Sequence, residues 1–136
     1  MKPIFLDASF ILALEFGHDQ NHLAAVNCWA AIRAADRPTL TTSFILDEVV
    51  THLNARGHHR RALAVGEQLM ADAEAFAYVD LRLFYAGWAY FCRRADKRYS
   101  LTDCISFVAM QEQGLREALT FDQHFTQAGF EAIPAS

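Results

Sequence analysis

Apolar residues along this chain follow two spacings. Short continuous runs are separated by longer stretches in which apolar positions recur every three or four residues. The first run, Pro3-Ile4-Phe5-Leu6, shows no polar alternation, the pattern of a strand covered on both faces. It ends at Asp7, and Phe10 to Leu14 then predicts a short helix closing near Gly17. Asn21 stands at an N-cap position ahead of Ala25, Val26, Trp29, Ile32 and Arg33, which are spaced along one helical face. Asp36-Arg37-Pro38 breaks that helix. Thr39 to Thr42 reads as a short strand, followed by Ser43 as the cap of a helix with Ile45, Leu46, Val49, Val50 and Leu53 on its apolar stripe. Gly57 supplies the stop.

The second half continues the alternation. A helix is predicted from about Arg60 to Asp72, a short strand from Phe76 to Val79, and an aromatic-rich helix containing Leu83, Phe84, Trp88 and Phe91. Leu101 to Gln113 carries Leu101, Cys104, Ile105 and Val108 at core spacing and is stopped by Gly114. Ala118 to Phe121 predicts a strand that delivers Asp122, and Phe125, Phe130 and Ile133 read as a packed tail. Short strands alternating with helices imply parallel pairing through right-handed crossovers. The expected fold is α/β: one domain over residues 1–136, built as a three-layer α/β/α sandwich on a short, mostly parallel central sheet.

Composition narrows the class. A chain of 136 residues that is 53% hydrophobic supports one adequate core, and no Pro-, Gly- or Ser-rich segment marks a linker. The net charge of −4 means that any contact with nucleic acid comes from local patches against an unfavourable overall field. Cys28, Cys92 and Cys104 form no Cys-x-x-Cys pair and read as reduced core residues, the usage of a cytoplasmic protein. Met1 opens almost directly onto a strand, which leaves no room for a signal peptide. The richest apolar run, Leu83 to Cys92, falls short of the ~20 residues that span a bilayer.

The chemistry on offer is carboxylate chemistry. Asp7 and Asp122 each follow an apolar strand, so a parallel sheet brings both to one edge, where open α/β sheets bind ligands. Asp103 lies in the first turn of a helix, where Ser100-x-x-Asp103 has capping-box spacing that explains the acid without any function. Asp47 and Glu48 flank the apolar stripe of their helix at comparable angles, and spacing does not choose between them. Carboxylates gathered this closely repel one another, and a hard divalent cation such as Mg²⁺ or Mn²⁺ resolves the conflict. An ion held by few protein ligands keeps waters for attack on a phosphodiester. Phosphate-cradling and nucleophile-elbow motifs are missing from the sequence: there is no Gly-x-x-x-x-Gly-Lys, no Gly-x-Gly-x-x-Gly and no Gly-x-Ser-x-Gly.

Four motifs occur in order: Asp7-Ala-Ser9 after the first strand, Thr-Thr-Ser before the helix with Glu48-Val-Val, Ser-Leu-Thr-Asp103, and Leu-Thr120-Phe-Asp122-Gln-His-Phe. Together they resemble a PIN domain, and the compact size is similar to that of VapC-type toxins of bacterial toxin–antitoxin pairs. The resemblance implies an acidic metal site made of Asp7, Glu48, Asp103 and Asp122, and it selects Glu48 over Asp47. It also implies supporting hydroxyls at Ser9 and Thr120, a Mg²⁺- or Mn²⁺-dependent ribonuclease activity on RNA, a homodimer and a cognate antitoxin. The competing function is a non-catalytic PIN-like binding module whose acidic pocket receives a basic partner peptide. A receiver-type phospho-signalling module would need a paired acid after the first strand and a late Lys, and neither is present.

Other residues carry weaker signals. His18 and His22 have metal-ligand spacing without a third ligand and read as a solvated loop pair. His124 reads as a surface histidine near the pocket rim. The groups Arg60-Arg61 and Arg93, Arg94, Lys97, Arg98 can grip RNA phosphates, and the second is the better candidate because it directly precedes Ser100. The aromatic run from Phe84 to Phe91 reads as core and dimer interface.

Overall fold

The computed structural model describes residues 1–135, so Ser136, the last position of the expected domain, lies outside the described residues. The chain runs β1 (Ile4–Leu6), α1 (Ala8–Glu15), α2 (His22–Ala34), β2 (Thr39–Thr42), α3 (Ser43–Ala55), α4 (His59–Met70), β3 (Phe76–Ala77), α5 (Leu81–Arg93), α6 (Leu101–Gln113), β4 (Glu117–Leu119), α7 (His124–Gln127) and β5 (Glu131–Ile133). The strands form one five-stranded sheet in the order β3-β2-β1-β4-β5. Every pairing is parallel, with Phe5 opposite Leu40 on one side and Ala118 on the other. With this strand order, the right-handed rule for parallel crossovers assigns α1 to α4 to one face and α5 to α7 to the other, in keeping with the packing of α3 on α4 and of α5 on α6. This is the expected three-layer α/β/α sandwich. No helix among the described residues is long and apolar enough to cross a membrane.

The strand order reverses between β1 and β4, the topological switch point at which such sheets open a crevice. Beneath that point the core is aromatic: Phe5, Phe107 and Phe125 are fully buried and meet ring to ring. Cations close the opposite, amino-terminal end of the same strands. The Arg37 guanidinium donates to Glu117 at 2.6 Å and to the Lys2 carbonyl at 3.3 Å, and the Lys2 ammonium donates to the Gly114 carbonyl at 2.9 Å.

Several local expectations are corrected. The cap of α3 is Thr42, whose hydroxyl accepts from the Ile45 N–H, and not Ser43. Ser43 instead accepts from the Val79 N–H at 2.8 Å, which holds the segment after β3, and Val79 itself lies outside that strand. Asn21 occupies the N-cap position of α2 without a side-chain cap bond, and Val26 faces solvent. The tail contains the helical turn α7 and the edge strand β5, because Phe125 and Phe130 anchor the chain long enough for Glu131–Ile133 to pair with β4. Cys92 is exposed, so only Cys104 is fully buried and Cys28 partly so.

The aromatic helix α5 does not simply fill the core. Leu83 and Gly87 are its buried positions, whereas Leu81, Tyr85 and Trp88 point outward with 72%, 59% and 46% of their surfaces exposed. Gly87 marks the close crossing of α5 over α6: a Cβ there would lie 2.4 Å from Ile105 Cγ1 and 3.0 Å from its Cα. Because backbone is involved, the neighbour has little room to yield. Gly87→Ala is therefore expected to destabilise the fold by ~1–2 kcal/mol, as overpacking outweighs the gain of ~1 kcal/mol in helix propensity. A urea titration checks this as a lower midpoint at unchanged slope, and an equal or higher midpoint would contradict the close-packing account.

Candidate active site

The crevice at the switch point is a cleft of about 400 Å³ lined by Asp7, Ser9, Leu12, Glu48, His52, Arg98, Ser100, Asp103, Asp122 and His124. All four carboxylates singled out from the sequence therefore face one space. Asp7 arrives at the end of β1, where its backbone N–H still donates to the Leu119 carbonyl at 3.0 Å and so continues the β1–β4 ladder. It holds the N-cap position of α1, yet its side chain makes no cap bond. Its Oδ2 instead accepts from the hydroxyls of Ser9 and Thr120, each at 2.7 Å. Those hydroxyls are themselves fixed, since Ser9 accepts from the Phe121 N–H and Thr120 from the Asp122 N–H, both at 2.9 Å. Phe121 stacks on Phe10, which holds the Thr120–Asp122 turn against α1.

Asp103 does two jobs with one oxygen. The full capping box is present: Ser100 accepts from the Asp103 N–H at 2.9 Å, and the Asp103 Oδ2 accepts from the Ser100 N–H at 3.1 Å. The same Oδ2 lies 2.8 Å from His124 Nδ1. The functionless explanation of Asp103 is thus true, and it leaves the carboxylate lining the cleft. Asp122 Oδ1 accepts from the His124 N–H at 2.9 Å, an Asx-type turn that carries the chain into α7. Glu48 stands on α3 at the open rim. Asp47 is absent from the cleft lining and accepts instead from Thr51, so the rotation of α3 decides what helical spacing left open.

His124 is the residue that sequence reasoning undervalued. Its Nδ1 sits between Asp103 and Asp122, at 2.8 and 3.4 Å, and its ring packs edge-on against buried Tyr99. Asp103, Asp122 and His124 offer ligand atoms within 4.8 Å of one another. The available signal was position: His124 follows Asp122 by two residues, and an Asx turn folds such a residue back onto its own carboxylate. The basic group divides. Arg98 lines the cleft, whereas Arg94 is paired with Asp96 and Arg93 lies over the Tyr90 ring. Elsewhere, Arg61 is taken by Glu15, and His22 hydrogen-bonds the Ala13 carbonyl.

The electrostatics are those of unneutralised acid. Asp7 is 5% exposed, and burial, opposed by its two hydroxyl partners and reinforced by Asp103 and Asp122, pushes its pKa up from 3.8 to about 6. Partial burial and then Asp7, Asp103, Asp122 and Asp47 push Glu48 up to about 6. Among the described residues no Lys or Arg pairs with any of the four. Oxygen donors that repel one another, each fixed by hydrogen bonds through one oxygen or left open at the rim, fit a hard divalent cation such as Mg²⁺ or Mn²⁺.

The raised Asp7 pKa makes stability depend on pH with a definite sign. Below pH 3.8 the carboxyl is protonated in both states and costs nothing; between 3.8 and about 6 the unfolded chain ionises first, and above that the full cost is present. Asp7→Asn, whose amide oxygen can still accept from both hydroxyls, is expected to stabilise the metal-free protein at pH 8 by about 3 kcal/mol. That gain should vanish by about pH 4. Denaturant melts in EDTA at the two pH values check this, and a pH-independent difference would refute the assigned cause.

Comparison with known proteins agrees with this geometry. Residues 4–131 match the family described as PIN domain. The chain is 32% identical over 130 residues to the 23S rRNA-specific endonuclease VapC20 of Mycobacterium tuberculosis, in strains CDC 1551 / Oshkosh and ATCC 25618 / H37Rv, covering 96% of this chain and 97% of the relative. The crystal structure of M. tuberculosis VapC20, titled a sarcin-ricin loop cleaving toxin, superposes with a TM-score of 0.82 at 31% identity over 93% of this chain and 95% of that one. The motif order, the parallel sheet and the acidic cleft thus have one explanation: the chain belongs to the PIN-domain family.

Proposed function

We propose that this protein is a divalent-metal-dependent endoribonuclease, the toxin of a toxin–antitoxin pair. The observation that carries the proposal is the convergence of Asp7, Glu48, Asp103 and Asp122 on one cleft with no Lys or Arg paired to any of them among the described residues. The sequence likeness to a 23S rRNA-specific endonuclease supports RNA as the substrate. In this reading the four carboxylates hold Mg²⁺ or Mn²⁺, which when bound lowers the pKa of a water and offsets charge on the phosphodiester. Ser9 and Thr120 keep the Asp7 carboxylate in one rotamer, the capping box does so for Asp103, and the His124 N–H does so for Asp122. His124, hydrogen-bonded to Asp103, sits where an imidazole can hold or move a proton beside the cleft.

The partners follow from the same reading. Leu81, Tyr85 and Trp88 form an exposed apolar stripe along α5 at successive helical turns, which supports a homodimer. The acidic cleft offers a cognate antitoxin a place for a basic side chain. Trp88→Glu is expected to yield a monomer by light scattering after size exclusion, and an unchanged mass would move the interface elsewhere.

Two measurements test the activity. Asp103→Asn, which preserves the capping oxygen, should fold normally and lose more than about 100-fold in RNA cleavage. Millimolar Mn²⁺ should raise the melting temperature of the parent protein and not that of Asp103→Asn, with EDTA reversing the shift. Full activity in the variant would sink the nuclease reading, and no shift in the parent would favour a binding module that receives a basic peptide.

A further inference from the structure

A second pocket adjoins the acidic cleft and shares Arg98 and His124 with it. Its volume is about 350 Å³, and the rest of its lining is Asp96, Lys97, Gln123 and Gln127. The charges in this pocket are sorted. Asp96, its carboxylate, is engaged by the Arg94 guanidinium through two hydrogen bonds, at 3.0 and 2.8 Å. Lys97 and Arg98 have no carboxylate partner among the described residues. The net character of the pocket is therefore cationic, directly beside a cleft that is anionic.

The loop that presents these cations is held in place. The paired Arg94 and Asp96 close a turn in which the Lys97 N–H donates to the Arg94 carbonyl at 3.1 Å. The next anchor is Tyr99, which is 5% exposed and packs edge-on against Phe107 and His124. With residue 99 turned into the core, Arg98 is held at the boundary between the two pockets. Gln123 at the N-cap of α7 and Gln127 at its end also line this second pocket, and their amides both donate and accept, as a base edge or ribose requires. An isolated cation at the end of a helix is ordinarily just solvated. Here a pinned loop, a locally neutralised Asp96 and a pocket of nucleotide dimensions occur together next to the proposed reaction centre.

We propose that this pocket is a subsite for the nucleotide next to the cleaved bond, with Arg98 holding the flanking phosphate and Lys97 reinforcing it. Arg94 acts as a brace for the loop and not as an RNA ligand. The inference rests on the ribonuclease reading above. It adds that the cleft repels phosphate by itself, so substrate affinity comes from this neighbouring cationic pocket. Arg98 is thus a positioning residue: it sets where the strand lies and takes no part in proton transfer.

The test is steady-state cleavage of a short fluorescent RNA by the 136-residue chain with Mn²⁺. Arg98→Ala is expected to raise KM about tenfold with kcat nearly unchanged, as loss of a charge-assisted phosphate bond predicts. The slope of log(kcat/KM) against log[salt] should flatten by about 0.7, the value for one single-strand phosphate contact. Arg98→Lys should recover part of the loss, and Arg33→Ala on α2, outside both pockets, serves as the net-charge control. A neutral methylphosphonate at one linkage beside the cleaved bond should make parent and Arg98→Ala equal. If the parent cleaves and Arg98→Ala matches it in KM and salt slope, or if no neutral linkage abolishes the difference, the subsite is wrong while the nuclease reading stands. If the parent neither binds nor cleaves RNA, the nuclease reading fails and the subsite falls with it.

Discussion

The Asp7 carboxylate, buried at the end of the central strand and held by two hydroxyls without a cation, is the interaction around which this site is arranged. Burial of an ionised acid is costly unless its hydrogen bonds are complete and a counter-charge is available. The fold supplies the hydrogen bonds from two separate segments, Ser9 on α1 and Thr120 after β4, and each hydroxyl is fixed in turn by a backbone N–H of the Phe121–Asp122 turn. One carboxylate therefore ties β1, α1 and β4 together at the switch point. Arg98 lines the cleft, yet among the described residues no Lys or Arg is paired with these acids, so their mutual repulsion is not relieved by an ion pair with the protein's own Lys or Arg.

The two ends of the sheet divide the electrostatic work. At the amino-terminal end Lys2 and Arg37 are consumed by Gly114, Glu117 and backbone oxygens, so that end is closed by short-range pairing. At the carboxyl end no Lys or Arg pairs with the acids among the described residues, and the helices bring further side chains to the cleft: Glu48 and His52 from α3, Asp103 from α6. Stability comes from the layer between, where Phe5, Phe107 and Phe125 are buried. This separation lets the strand ends carry strained electrostatics without a matching loss of packing.

How much was legible in the sequence follows from the range of the interactions. The strands that end just before Asp7 and Thr120 were readable because continuous apolar runs are local facts, although the second, expected over Ala118 to Phe121, is formed by Glu117–Leu119. The capping box at Ser100 and Asp103 was readable for the same reason and proved real. Residue spacing could not choose Glu48 over Asp47, because the rotation of a helix is set by what it packs on; the family resemblance favoured Glu48, and of the two it is Glu48 that lines the cleft. His124 was missed as a site residue because its position depends on an Asx turn and on Tyr99 behind it. The edge strand β5 was invisible because three residues with a polar first position carry no periodicity, and only pairing with β4 defines them. Thr42 took the cap from Ser43 because Ser43 was claimed by Val79, a contact 36 residues away.

The neighbouring cations raise the question of why Arg98 does not simply neutralise the cleft it borders. A guanidinium paired with Asp7 or Asp122 would satisfy the acids and occupy the space that an ion needs. The loop prevents this in two ways. Tyr99 is anchored in the core immediately after Arg98, which limits the reach of the backbone, and Arg94 rather than Arg98 takes Asp96, the nearby carboxylate. Arg98 is left at the boundary with its charge unspent. In the proposed reading, opposite charges held side by side without collapsing onto each other would suit a phosphate chain: Arg98 would hold one phosphate, and the acids would hold the ion that supplies Lewis-acid chemistry at the next. The Arg94–Asp96 brace thus fixes the loop and leaves Arg98 without a carboxylate partner among the described residues, the arrangement on which the proposed subsite depends.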